Sequence, residues 1–222
     1  MKIMSASPVD GAMGALGPMK GRRTVDLMTR TLHALMALSF GIGYITGESE
    51  RLKLLHITMG YTLGGLLLVR VLWGLWGPRP ARWSVLRQKL LGFRQLLQVP
   101  TDLKAWVGRM QAPVLAASIA LVLLCMAPLV LSGYVAEQDW LGWGDALGEL
   151  HEAVASLMLM GVLVHLGAVV AFSFLRQKNL AWPMFTGRVR ENGPDLVRNN
   201  QTVWALLLIS AFMLFWGWQW LG

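Results

Sequence analysis

The chain has 222 residues, 55% of them apolar and only 14% charged, where soluble domains carry roughly 25% charged residues; a soluble globular fold is excluded. Its 20 Lys and Arg against 12 Asp and Glu give a net charge of +8. The bases fall in short blocks between long apolar runs, which is the marking of cytoplasmic loops in a membrane protein and not of a nucleic-acid-binding surface.

In chain order, residues 1–24 open with a Gly-, Pro-, Met- and Ser-rich stretch without periodicity, expected to be a flexible cytoplasmic tail. Arg22-Arg23 is a weak match to a twin-arginine export signal. Arg30 and His33 interrupt the apolar run behind it and no small-residue cleavage site follows, so a retained first helix is expected. Five stretches reach the about 20 residues that a hydrocarbon core requires: 25–46, 54–76, 113–135, 147–175 and 202–220. Each must be a helix, because backbone groups in lipid need partners within their own segment. The expectation is an all-α membrane protein: a four-helix bundle over 25–178 and a fifth transmembrane helix over 202–222.

Seventeen of the Lys and Arg lie before His33, between segments two and three, or between segments four and five. Only Arg51 and Lys53 lie on the other side, and the loop with Glu137, Asp139, Asp145 and Glu149 has no base. This places the N-terminus in the cytoplasm and, with five crossings, the C-terminus outside. Trp73 and Trp76 mark the inner interface, Trp140 and Trp143 the outer one, and Trp216, Trp218 and Trp220 the final exit. The loop 78–112 sets Trp83, Leu86, Leu90, Phe93 and Leu97 at helical spacing among Arg82, Arg87, Lys89 and Arg94, an amphipathic helix expected on the cytoplasmic surface. Residues 179–201 form a basic cytoplasmic loop. Cys125 lies alone inside an apolar run, which excludes an intramolecular disulfide and a cysteine-rich metal site.

The chemistry is concentrated in four histidines, all inside segments one, two and four, where ionisable residues are costly and tend to be functional. His33 lies near the cytoplasmic start of the first segment; His56 and His151 lie at the outer starts of the second and fourth. His165 follows His151 by fourteen residues, which on a helix returns to within about 40° of the same face, about 21 Å further along. The depths pair His56 with His151 and His33 with His165. Two facing imidazoles in a helical bundle suit the two axial positions of a haem iron, an arrangement for electron transfer. The four histidines are therefore candidate ligands of two b-type haems, bound without covalent attachment because no Cys-x-x-Cys-His stands in the chain. Hydrogen bonds between helices or a proton relay are the alternatives for any single one of them. Gly60 and Gly64, at four-residue steps after His56, and Gly161 in the fourth segment offer room for a flat macrocycle. Arg70 follows His56 by the same fourteen residues. Its charge would find a partner in a haem propionate or snorkel to the inner headgroups. The methionines read as apolar filler, with an axial ligand among them left open.

These residues resemble a known family. Val25-Asp26-Leu27 through Arg30-Thr31-Leu32-His33 resembles the opening of bacterial cytochrome b561 proteins and of nickel–iron hydrogenase b-type subunits. So do Leu55-His56 with Gly60-Tyr61, Arg70-Val71-Leu72-Trp73-Gly74, Leu150-His151-Glu152 through His165, Asn179-Leu180, and Met184-Phe185-Thr186-Gly187-Arg188. The family's usual Gly-His-Asn-Pro before the third helix is absent, Gly108-Arg109-Met110-Gln111-Ala112-Pro113 standing there, and the apolar tail from Thr202 is an addition. The resemblance implies a four-helix, di-haem cytochrome of the bacterial inner membrane with the four histidines as ligands. It would carry electrons in a respiratory chain between the quinone pool and a periplasmic partner such as a c-type cytochrome, as a subunit of a quinone-linked oxidoreductase. Its other partners would be membrane lipid, with no role for nucleic acid. One alternative is a self-contained oxidoreductase passing electrons from superoxide or another small molecule to quinone, with Arg51 and Lys53 attracting the anion. Another is a transporter with histidine relays, which would need carboxylates at mid-depth in the spans, and none stands there.

Overall fold

The structure, a computed structural model, describes residues 21–97, 102–139, 142–191 and 193–221. The N-terminal tail up to Lys20, Trp140 and the side chain of Leu97 lie outside them. The described chain is helical apart from turns and one short ladder. Helix α1 spans Leu27–Thr46. It starts where the Asp26 carboxylate accepts the Thr29 N–H at 2.8 Å and the Thr29 hydroxyl at 2.7 Å, satisfying donors that a helix start leaves unpaired. A single 3-10 turn, Glu50–Leu52, leads into α2, Lys53–Trp76, which stops at Gly77. The surface helix α3 covers Trp83–Leu91, then tightens into a 3-10 helix, Gly92–Leu97. The two longest helices are α4, Leu103–Gln138, and α5, Gly144–Arg176. A short α6, Trp182–Thr186, precedes the last helix, α7, Thr202–Leu221.

Among the described residues four helices, α2, α4, α5 and α7, are long and apolar enough to cross a membrane. The sequence reading has a fifth, α1. Arg30 and His33 dilute its apolar content and it falls short by composition, although its 20 residues match α7 in length. Helix α4 begins ten residues before the expected start at Pro113 and holds both Pro113 and Pro128 inside it. Its early turns pack against α3. Of the apolar residues in the loop 78–112, Trp83, Leu86 and Leu90 are half-buried while Phe93 is exposed, as are Arg87, Gln88 and Lys89, and protein supplies part of the apolar contact.

Helices α1 and α2 form one hairpin, α4 and α5 a second, and α2 joins the two along α4. Short connections force this up-and-down order. The centre is a layer of Phe40 from α1, Leu63 from α2, Cys125, Met126 and Leu129 from α4, and Met158 from α5. Cys125 thus fills the core instead of facing lipid. A second core, Met28, Leu32, Leu66, Ala205 and Leu208, seats α7 on the α1–α2 hairpin.

At the end of the bundle where α1 starts, residues 179–201 are more than a loop. Arg22–Arg23 pairs antiparallel with Arg188–Val189, joining Arg22 to Val189 and Arg23 to Arg188. The Arg23 N–H donates to Asp195 at 2.7 Å and the Arg30 guanidinium to the Phe185 carbonyl at 2.6 Å. Lys178 donates to Glu191 at 2.7 Å and holds its carboxyl below the usual carboxylate range. The Arg188 guanidinium donates to the Gly21 carbonyl at 2.7 Å, so Arg30 and Arg188 both tie the residues around the start of α1 to this segment.

Candidate functional site

His56 and His151 enter one cavity of about 500 Å³ between the two hairpins, within the range of cofactor sites. Their ring centres are 5.9 Å apart with planes at 79°. Each ring is held from behind. The His56 Nδ1–H donates to the Gly43 carbonyl at 2.9 Å. That carbonyl is available because α1 ends there, the Gly47 N–H having moved on to Tyr44. The His151 Nδ1–H donates to the Leu129 carbonyl at 2.9 Å, with the Ser132 hydroxyl at 3.4 Å. With Nδ1 spoken for, Nε2 of both rings is the nitrogen left with a free lone pair.

The second pair sits toward the other end. The His165 Nδ1 is 3.0 Å from the Ser118 hydroxyl, and that hydroxyl donates its one proton to the Leu115 carbonyl at 2.9 Å. When the hydroxyl proton goes to that carbonyl, Ser118 accepts from the His165 Nδ1–H, which leaves Nε2 free. Among the described residues no hydrogen-bond partner orients the His33 ring. The structure brings His56 and His151 together in one cavity, while His33 stands on α1 and His165 on α5. Met158 lies seven residues from both histidines of α5, Phe40 seven from His33 and Leu63 seven from His56. At about 1.5 Å per residue, the buried central layer falls midway between the two pairs.

Two of the expected glycine roles are corrected. A Cβ on Gly64 would stand 2.9 Å from Val130, and one on Gly161 3.3 Å from Leu121; both glycines let α4 approach, and neither keeps a macrocycle's space. Gly60 does open on the cavity, with nothing within 4 Å of its Cβ position. Sequence reading missed Gly133, whose absent Cβ would lie 2.7 Å from the His151 ring, and the two serines behind His151 and His165. No sequence signal marks them, since serine and glycine are ordinary at membrane helix contacts.

Arg70 is half-buried on α2. Its guanidinium carbon is 4.7 Å from the centre of the Trp83 ring, and one N–H donates to the Ala81 carbonyl at 3.2 Å. The Trp83 indole lies where a side chain on Gly74 would be and donates to the Val71 carbonyl at 3.0 Å. This corner gives the cation a ring face and a carbonyl but no anion. At the opposite end, Glu48, Glu137 and Glu152 line the cavity of His56 and His151, and Lys53 reaches Glu137 at 3.2 Å. The exit tryptophans are not all interfacial: the Trp216 N–H donates to Thr62 of α2 at 2.8 Å.

A model of the family described as prokaryotic cytochrome b561 matches residues 24–187, about three quarters of the chain and all four histidines. Helix α7 lies beyond the match. No curated protein and no solved structure matches the chain.

Proposed function

The chain belongs to the prokaryotic cytochrome b561 family, multi-pass membrane cytochromes of electron transport that bind b-type haem, and we propose that it holds two haems and moves electrons across the bacterial inner membrane between the quinone pool and a periplasmic redox protein. The observation that carries this is the convergence of His56 and His151 on one cavity, each with Nδ1 bound from behind.

The residues fit the group. His56 and His151, with ring centres 5.9 Å apart, line one cavity with an Nε2 free on each, so this pair would hold the iron of a haem. Haem b supplies a one-electron ferric–ferrous couple when bound. His56 and His151 would hold the outer group, His33 and His165 the inner one. The carbonyls of Gly43 and Leu129 and the hydroxyl of Ser118 would keep the Nε2 of His56, His151 and His165 aimed and raise its basicity. Phe40, Leu63, Met126 and Met158 exclude water from the space between the sites. Arg70 would offer its unfilled N–H groups to a propionate of the inner haem.

The acidic lining at the outer mouth, continued by exposed Asp139, Asp145 and Glu149, favours a periplasmic partner with a basic face, such as a c-type cytochrome. It repels a small anion, and Lys53 is already engaged by Glu137. The basic loops would face the cytoplasm. The decisive experiment is pyridine-haemochrome analysis of the purified chain with a redox titration of its absorption. Two non-covalent protohaems per chain are expected, and one or none would overturn the proposal.

A further inference from the structure

We infer that α7, the helix beyond the family match, is the positioning element for His33: it fixes α1 sideways and thereby sets the geometry of the inner imidazole pair. The inference rests on the two-site reading proposed above.

Three of the four histidines have rings anchored through Nδ1, to Gly43, to Leu129 and to Ser118. His33 has no such anchor among the described residues, so its placement depends on the backbone of α1. That helix is also the weakest of the five. Over a membrane-length window it is less apolar than α2, α4, α5 and α7. Along its length it packs on α2 and on α7.

The contact with α7 falls beside His33. Met28 and Leu32, five residues and one residue before it, are 3% and 2% exposed, and they close with Leu66, Ala205 and Leu208 into one core. Ala205 is 0% exposed, fully enclosed where α7 packs on α1 and α2. Helix α7 is seated in register and does not merely lie alongside. Its entry is tied to α1 by the Leu27 N–H on the Asn200 carbonyl at 2.9 Å. Trp204 meets Trp73, with ring centres 6.5 Å apart. Phe212 fills the space that Gly65 leaves, 3.3 Å from where a Cβ would be. Trp216 donates to Thr62 at 2.8 Å, and Thr62 passes its own proton to the Thr58 carbonyl at 2.7 Å. None of the cavity-lining residues around His56 and His151 comes from α7. Loosening α7 should therefore disturb the inner pair and spare the outer one.

The test uses the full chain carrying Leu208→Ala and Phe212→Ala together, read by haem content, low-spin EPR and redox titration. The two haem signals are first assigned with His151→Ala and His165→Ala. The double variant is expected to lose most of the inner haem, or to show it with a shifted EPR signature and midpoint potential, while the outer signal stays as in the parent. Leu208→Met with Phe212→Leu, which keeps the bulk, is expected to restore the inner signal. Leu214→Ala, on the face of α7 that is 75% exposed at that residue, is expected to change neither. Two unchanged signals in the double variant, or loss of both together, would overturn the inference. A parent protein without two distinguishable signals would overturn the two-site reading itself, and with it this role for α7.

Discussion

The tightest contact behind a proposed ligand is that between Gly133 and His151, and Gly133→Ala tests it. A methyl at 133 would stand 2.7 Å from His151 Cε1 and 2.8 Å from Nδ1, so the ring must retreat by several tenths of an ångström. It cannot do so freely, because the Leu129 carbonyl that holds its Nδ1–H at 2.9 Å belongs to the same helix, one turn away. Weakening that bond costs about 0.5–1.5 kcal/mol, and overpacking of this kind adds about 1–3 kcal/mol. Loss of a partner that orients a metal-bound histidine lowers affinity about 10–100-fold, each tenfold step being about 1.4 kcal/mol. The two routes agree, and the outer haem should transfer to apomyoglobin about 10–100 times more readily than in the parent, with the inner haem unaffected. Gly41→Ala is the control, because a Cβ there meets nothing within 4 Å. A Gly133→Ala protein that keeps the parent's spectrum and retains both haems equally well would refute the argument that the His151 ring is seated against α4.

Ligand pairing predicts matched phenotypes: His56→Ala and His151→Ala should each remove the outer haem and leave the inner, His33→Ala and His165→Ala the reverse, and optical redox titration of the four variants would expose any wrong pairing. A cation beside the inner haem favours the reduced iron, so Arg70→Gln should lower its midpoint potential by a few tens of millivolts, on the scale of about 59 mV per tenfold for one electron. Arg70→Lys should do so less, since charge remains while the planar fork and its stacking on Trp83 are lost. Parent-like potentials at both haems in both variants would leave Arg70 as a brace for the α2–α3 corner alone. A reporter enzyme active only outside the cytoplasm, fused after Gly222, should be active, because α7 starts beside the start of α1 and has reached Thr62 by Trp216; a silent fusion would mean that α7 does not cross.

What the chain order alone determines is whatever depends on period and composition. Apolar runs of membrane length can only be helices, so the bundle was legible before any contact was known. A fourteen-residue interval sets two histidines near one face of α5 at two depths, and depth is what nominates the proposed partners on α1 and α2. Rotation and contact between helices are another matter, because no local rule states which atom of one helix meets which atom of the next. Gly60 and Gly64 are equivalent in the sequence, yet one opens on a cavity and the other receives Val130. Arg70 reads as a charge in search of an anion, and only the folded turn reveals the Trp83 ring against it. Ser118, Ser132 and Gly133 carry no mark until α4 and α5 pack closely enough for hydrogen bonds to form between them. Trp216 reads as an interfacial residue until α7 takes its place on α2 and its N–H finds Thr62. The physical reason is the same throughout. Burial in lipid is set by the residues of a segment, whereas the orientation of a ligand is set by close contacts whose partners lie many residues away.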